Sequence, residues 1–196
     1  MANVTALHTD TRQKIINATM LVAAKNGFER ATTGEISRTA GVSEGIIYHY
    51  FKSKQELYVN MIKERADNYR QALDKEISGI SSPRKRLERL IDFHFEHFTG
   101  KKSMFRGVLD RTSDTPVIKE QLLKIAMSPY CRMIAEIVGK GIKAGEFRDV
   151  NPQAAAFGLL GMMQIPAIAM HFGHAEFSAR DAVDTVKKIY FGGILK

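Results

Sequence analysis

Between Thr32 and Glu56 the chain announces three helix starts in close succession, and no other feature restricts its folding as tightly. Thr32-Thr33-Gly34-Glu35 and Ser53-Lys54-Gln55-Glu56 both have the form of a capping box, in which a hydroxyl and a carboxylate three residues apart satisfy each other's backbone amides. Gly41-Val42-Ser43 lies between them, with Ser43 as the expected N-cap of the middle helix. Helices this short cannot bury an apolar stripe alone. They are stable only when packed on one another at a fixed angle, which is the geometry of a helix-turn-helix. The turn calls for Gly41, because a positive φ there carries no Cβ penalty. Ile36 and Ala40 should face inward from the first member, and Val42, Ile47 and Phe51 should close the far side. Ser37 supplies the small side chain needed where the helices touch.

The rest of the chain reads as helix, without strand-like alternation or repeats. A first helix is expected from Asp10, capping Gln13, to Asn26-Gly27, with Ile15, Ile16, Thr19, Leu21, Val22 and Ala23 as its apolar stripe and Phe28 returning to the core. The helix opened by Ser53 should continue to about Ile77, before Gly79-Ile80-Ser81-Ser82-Pro83 breaks the chain. Longer helices are expected over Arg84–Thr99, Pro116–Ala144, Pro152–Phe172 and Ala179–Ile194, with a shorter one over Ser103–Arg111. The fold class is therefore all-α, about nine helices, with a three-helix N-terminal domain over residues 1–55 and a helical domain over 56–196.

A net charge of +8 and a pI near 9.6 permit a polyanionic partner. They do not locate it, since Met1–Asn60 carries seven basic residues against five acidic ones. The single cysteine, Cys131, excludes an internal disulfide framework and suits a reducing compartment. Met1–Asp10 lacks a basic start followed by an apolar run, so a cytoplasmic location without membrane association is expected. Ala154–Phe172 is apolar but interrupted by Gln164, Pro166 and several small residues, and reads as a buried helix rather than a membrane span. No Gly-rich phosphate cradle or nucleophile elbow is present, and no enzymatic activity or cofactor is expected. His94-x-x-His97 and His171-x-x-His174 place histidines on one helix face, but no third ligand completes either pair and no metal is expected.

The order Gly41-Val42-Ser43-Glu44-Gly45-Ile46-Ile47-Tyr48-His49-Tyr50-Phe51-Lys52-Ser53-Lys54 resembles the tetracycline-repressor (TetR) family of bacterial regulators. In that family a Gly-Val-Ser turn precedes the recognition helix and a Tyr-x-Tyr/His-Phe-x-x-Lys run closes the module. The upstream Ala23-Ala24-Lys25-Asn26-Gly27-Phe28-Glu29-Arg30-Ala31-Thr32-Thr33 is similar to the family's entry into the second helix. The resemblance implies a dimeric repressor on a palindromic double-stranded operator, released by a small-molecule effector bound in the C-terminal helices.

The implied DNA-facing set is Thr33, Ser43, Glu44, Gly45, Tyr48, His49 and Lys54, with Thr33, Tyr48, His49 and Lys54 directed at phosphates. Gly45 would admit close approach of the duplex; Glu44 is a poor phosphate neighbour and reads either cytosine or solvent. Tyr50 has the spacing of a core residue. Adaptable apolar side chains in the middle helices, with a few polar groups, make Phe93, His97, Phe98, Met104, Phe105, Met127, Tyr130, Cys131, Met163 and Gln164 the candidate effector-binding residues, and point to an apolar or aromatic ligand. Small residues and one apolar stripe on the last two helices make Ala155, Gly158, Met162, Val183, Val186, Ile189 and Tyr190 the candidate homodimer interface.

Overall fold

The computed structural model describes residues 2–27, 29–98, 120 and 123–195. Among these the structure is helical: α1 (Ala2–Asn26), α2 (Thr33–Ala40), α3 (Glu44–Tyr50), α4 (Lys54–Ile77), α5 (Pro83–Phe98), a π-helical turn (Leu123–Met127), α6 (Ser128–Lys143), α7 (Pro152–His171) and α8 (Ala179–Ile194). No strand occurs among the described residues, only an isolated antiparallel bridge between Phe147 and Leu195. The chain forms two compact units, Met1–Asp67 with Phe105–Ala126, and Asn68–Met104 with Met127–Lys196. The division falls inside α4, which contributes residues to both.

The first unit is built around Ile15, Ile16, Val22, Ile36, Ile47, Phe51, Leu57 and Tyr58, all buried, with Ala40, Val42 and Tyr50 half-buried against them. Thr32 and Glu35 form the expected reciprocal capping box, and the Thr32 amide and hydroxyl hold the Glu35 carboxyl below its ordinary pKa. Gly41 adopts a left-handed conformation (φ 68°), so its amide reaches the Arg38 carbonyl and the Val42 amide reaches Ser37. That pair of bonds is a Schellman ending, and it sets the angle between α2 and α3. Ser37 is buried and donates its hydroxyl to the Gly34 carbonyl.

Several local expectations need correction. The first helix begins at Ala2, and Asp10 lies within it, paired with Lys14 one turn on at 2.7 Å instead of capping. Leu21 is 61% exposed: it falls on the opposite side of α1 from the buried Thr19, Val22 and Ala23. Ser43 occupies the N-cap position of α3 but its side chain makes no capping bond. At α4 the Glu56 amide donates to Ser53 Oγ, while the Glu56 carboxylate accepts from the Lys52 amide, one residue earlier than a closed box would have it. The helix expected over Pro116–Ala144 contains the π-helical turn before α6 begins at Ser128. Phe28 and the helix expected over Ser103–Arg111 lie outside the described residues.

In the second unit α5, α6, α7 and α8 share a core containing Leu87, Leu90, Ile91, Phe95, Ile134, Val138, Leu159 and Met163. Gly141 is required there by close approach, because a Cβ would lie 2.1 Å from the ring of Phe147, itself fully buried. α7 runs unbroken through Pro166. By length and composition it is the one helix among the described residues able to cross a membrane, yet it is not the buried helix its sequence implied. Ala156, Leu159, Leu160, Met163 and Ala167 face inward, and Phe157 (56%) and Ile165 (68%) face out.

Candidate nucleic-acid interface and effector region

The turn between α2 and α3 presents the outer face of α3 away from the core. Ile47 is its buried residue and Tyr50 lies half-buried, edge-on to His49, as its spacing implied. Glu44, Gly45, Ile46, Tyr48 and His49 are exposed, with Tyr48 at 53%. A seven-residue helix with five exposed positions and one buried anchor can be offered to a groove without dismantling the unit.

The side chains flanking that face are engaged with the protein itself. The Thr33 hydroxyl donates to the Glu44 carboxylate at 2.8 Å, bridging the first turns of α2 and α3. Gly34 makes room for it, since a Cβ there would come within 2.9 Å of the same carboxylate. This link is not legible in the sequence, where Thr33 and Glu44 stand eleven residues apart. Lys54 donates to the Glu29 carbonyl at 3.0 Å, so its ammonium is already held near the start of α2. Arg12 donates to Asn60 at 2.8 Å, lies 3.7 Å from Glu64 and stacks 5.3 Å above the ring of Phe51, the C-cap of α3, fixing α1 to α4.

In the second unit, Phe93, Phe98, Tyr130, Cys131 and Met163 are buried, Met127 and Gln164 are half-buried, and Met104 and Phe105 lie outside the described residues. The aromatic rings form one cluster: Tyr69 stands 5.3 Å from Phe93, 5.9 Å from Phe98 and 5.5 Å from Tyr130. Burial pushes the Cys131 thiol up from its ordinary pKa. The histidine pair on α5 divides unexpectedly. His97 is exposed, stacked on Phe93 with Nδ1 2.9 Å from the Phe93 carbonyl, whereas His94 is fully buried. Sequence reasoning chose His97. The spacing Leu87, Leu90, Ile91, His94, Phe98, which follows the buried face of α5, is the signal that could have singled out His94. No group of three or more potential metal ligands exists among the described residues.

The last two helices present two faces. Val186 and Tyr190 are buried within the unit, with the Tyr190 hydroxyl 3.3 Å from the Ala155 carbonyl. Ala155, Met162 and Val183 are half-buried, and Gly158 and Ile189 are exposed. The α8 stripe therefore runs from buried Val186 and Tyr190 to exposed Ile189 at its edge. Between α7 and α8 lies a groove of about 370 Å³, lined chiefly by apolar residues that include Gly161, Met162, Ile165 and Ile189, with Asp181 and Thr185.

Comparison with known proteins agrees with this architecture. Residues 15–61 match the sequence profile of bacterial regulatory proteins of the tetR family, and residues 81–167 match that of the tetracyclin repressor-like C-terminal domain. The HTH-type transcriptional regulator BetI of Serratia proteamaculans (strain 568) is 34% identical over 153 residues, covering 74% of this chain and 71% of the relative. The fatty acid metabolism regulator protein of Bacillus subtilis (strain 168) is 24% identical over 136 residues, covering 69% and 70%. Among solved structures, the transcriptional regulator FadR from Bacillus subtilis in complex with stearoyl-CoA superposes with a TM-score of 0.81 at 21% identity, covering 92% of this chain and 98% of that one. A transcriptional regulator from Saccharomonospora viridis in complex with choline gives 0.78 at 20% identity, covering 96% and 99%. The chain belongs to the tetR family of bacterial transcription regulators, with a DNA-binding helix-turn-helix in its first unit and the family's ligand-binding C-terminal domain in its second.

Proposed function

We propose that this protein is a dimeric, cytoplasmic repressor without enzymatic activity, released from a palindromic operator when a small apolar or aromatic effector binds its second unit. The observation that carries the reading is the exposed face of α3, held out by a buried Ile47 and a glycine-cornered turn. In this reading Ser43, Gly45, Tyr48 and His49 approach the major groove, and Thr33 and Lys54 exchange their internal partners for phosphate oxygens. Glu44 belongs to the same surface, with its carboxylate turned onto Thr33 until DNA arrives.

A single short helix gives little specific affinity, whereas two copies can read half-sites about 34–36 Å apart. The exposed apolar face of α7 and α8, with Phe157, Gly158, Ile165 and Ile189, supports a second copy of this chain as the partner. The similar proteins of known structure hold stearoyl-CoA in one case and choline in the other, which supports a small-molecule effector here too. Because α4 contributes to both units, an effector that prefers one position of α4 shifts the population away from the DNA-binding arrangement. A coupling of a few kcal/mol, about 1–3, is enough to lower DNA affinity five- to 150-fold.

The test is fluorescence anisotropy with duplexes drawn from the DNA upstream of the protein's own gene, against scrambled duplexes of equal length at moderate salt. The reading expects affinity for one upstream segment to exceed the scrambled control by about 10³ or more. Equal binding to both would remove sequence-specific repression.

A further inference from the structure

We propose that His94, together with the Tyr69 and Tyr130 hydroxyls, is the polar seat of the effector, and that the group it receives is uncharged: a carbonyl or hydroxyl on an apolar body. This deepens the effector reading above and rests on it.

His94 is fully buried, and neither ring nitrogen has a hydrogen-bond partner among the described residues. Its ring lies flat on Phe98, with centroids 4.0 Å apart and planes at 15°, and runs parallel to Tyr130 at 6.2 Å. Phe95 closes another side edge-on at 5.7 Å. The stacking fixes the imidazole without engaging either nitrogen. A buried polar atom left in this state is destabilising, and proteins retain such groups where something else uses them. Beside it, the Tyr69 and Tyr130 hydroxyls are buried and share one long contact of 3.4 Å, far from saturating two groups that each donate and accept. Three polar functions therefore belong to one otherwise apolar cluster of rings.

The chemistry of the shell decides the class of head group. Among the described residues, no Asp, Glu, Lys or Arg is buried in this unit. Arg89, 5.8 Å from the Phe93 ring centroid, is held by Glu76 and Glu96. Burial, aided by the charge of His97, lowers the His94 pKa to about 3, so the ring is neutral and offers one N–H and one lone pair. Arg65, one turn before Tyr69 on α4, is half-buried and belongs to the first unit, so a carboxylate or phosphate seated on His94 would meet no buried cation among the described residues of this unit. An ammonium would meet no buried anion among the described residues of this unit. An uncharged carbonyl or hydroxyl satisfies His94 and the tyrosines without burying a charge.

Two matched probe series test this. One has nonan-2-one, nonanoate and nonyltrimethylammonium; the other has 4-phenylbutan-2-one, 4-phenylbutanoate and (3-phenylpropyl)trimethylammonium. Calorimetric titration of the full chain should show a ketone binding at least tenfold tighter than its ionic counterparts, and the His94 ring signals in a ¹⁵N-histidine spectrum should move while remaining those of a neutral imidazole. His94→Phe keeps the stacked ring and removes both nitrogens. It should raise the Tm of the ligand-free protein and weaken ketone binding at least tenfold; Tyr130→Phe should weaken it about threefold with the fold intact. An ionic probe binding as tightly as its ketone, no probe binding, or His94→Phe leaving ketone affinity within twofold would each overturn the proposal. So would a lowered Tm in His94→Phe, which would make the ring structural. Anisotropy on a duplex selected by the wild-type protein from a random pool is run in parallel. If the ketone binds through His94 but leaves DNA affinity unchanged, the effector reading fails and the seat stands.

Discussion

Acidification should weaken this protein through His94 before its carboxylates begin to titrate. In the folded chain the imidazole resists protonation down to about pH 3, whereas the unfolded chain takes up a proton near 6.5. Between those values the unfolded state binds more protons than the native state, so stability falls as pH falls and levels off only below about 3. The group is fully buried, so solvent screening offers no discount. Going from pH 8 to pH 5 corresponds to a loss of about 2 kcal/mol, and the full effect at pH 3 is on the order of 4 kcal/mol. Urea unfolding at intervals from pH 8 to pH 5, on wild type and His94→Phe, isolates the contribution, because carboxylate effects are common to both and cancel in the difference. The wild-type midpoint should fall more steeply, with the gap between the two proteins widening as pH drops. Parallel curves would refute the reasoning, since they would mean that His94 either takes up its proton in the folded state or has a partner that the charged ring keeps.

Gly141→Ala should cost about 3 kcal/mol, because its methyl group would overlap the ring of Phe147, which is fully buried and has no free direction to move; a thermal melt reads this directly. Thr32→Ala opens the capping box of α2 and should remove about 1 kcal/mol of stability, visible as faster amide exchange in α2 and α3 than in α8. Lys54→Ala should weaken binding on every DNA sequence and lower the salt slope of log K by about 1 for each copy bound; an unchanged slope would take Lys54 out of the phosphate set. Ile165→Glu, on the exposed face of α7, should shift the protein from dimer to monomer in light scattering at micromolar concentration with little change in helical content.

How much of this was legible beforehand depends on the range of the interactions involved. The capping box at Thr32, the left-handed Gly41 and the buried trio Ile36, Ile47 and Phe51 were readable because each is decided by residues within about two turns of chain, and so were the bounds of α4 and α8 to within a residue. What could not be read were choices of face and partner. The apolar spacing of α5 favours His94 over His97 as the inward residue, but only the packing of Tyr130 and Phe98 around its ring shows that the imidazole is held without a partner for either nitrogen. The same holds for Val186 against Ile189 on α8, of which the first is buried and the second exposed. Thr33 and Glu44 are eleven residues apart, and their bond exists only because the Gly41 turn brings two helix starts together. The amino-acid order determined where helices begin and end, through hydrogen bonds that close within a few residues. Tertiary structure decided which sides of them meet, because the burial that selects a face depends on surfaces contributed from far along the chain.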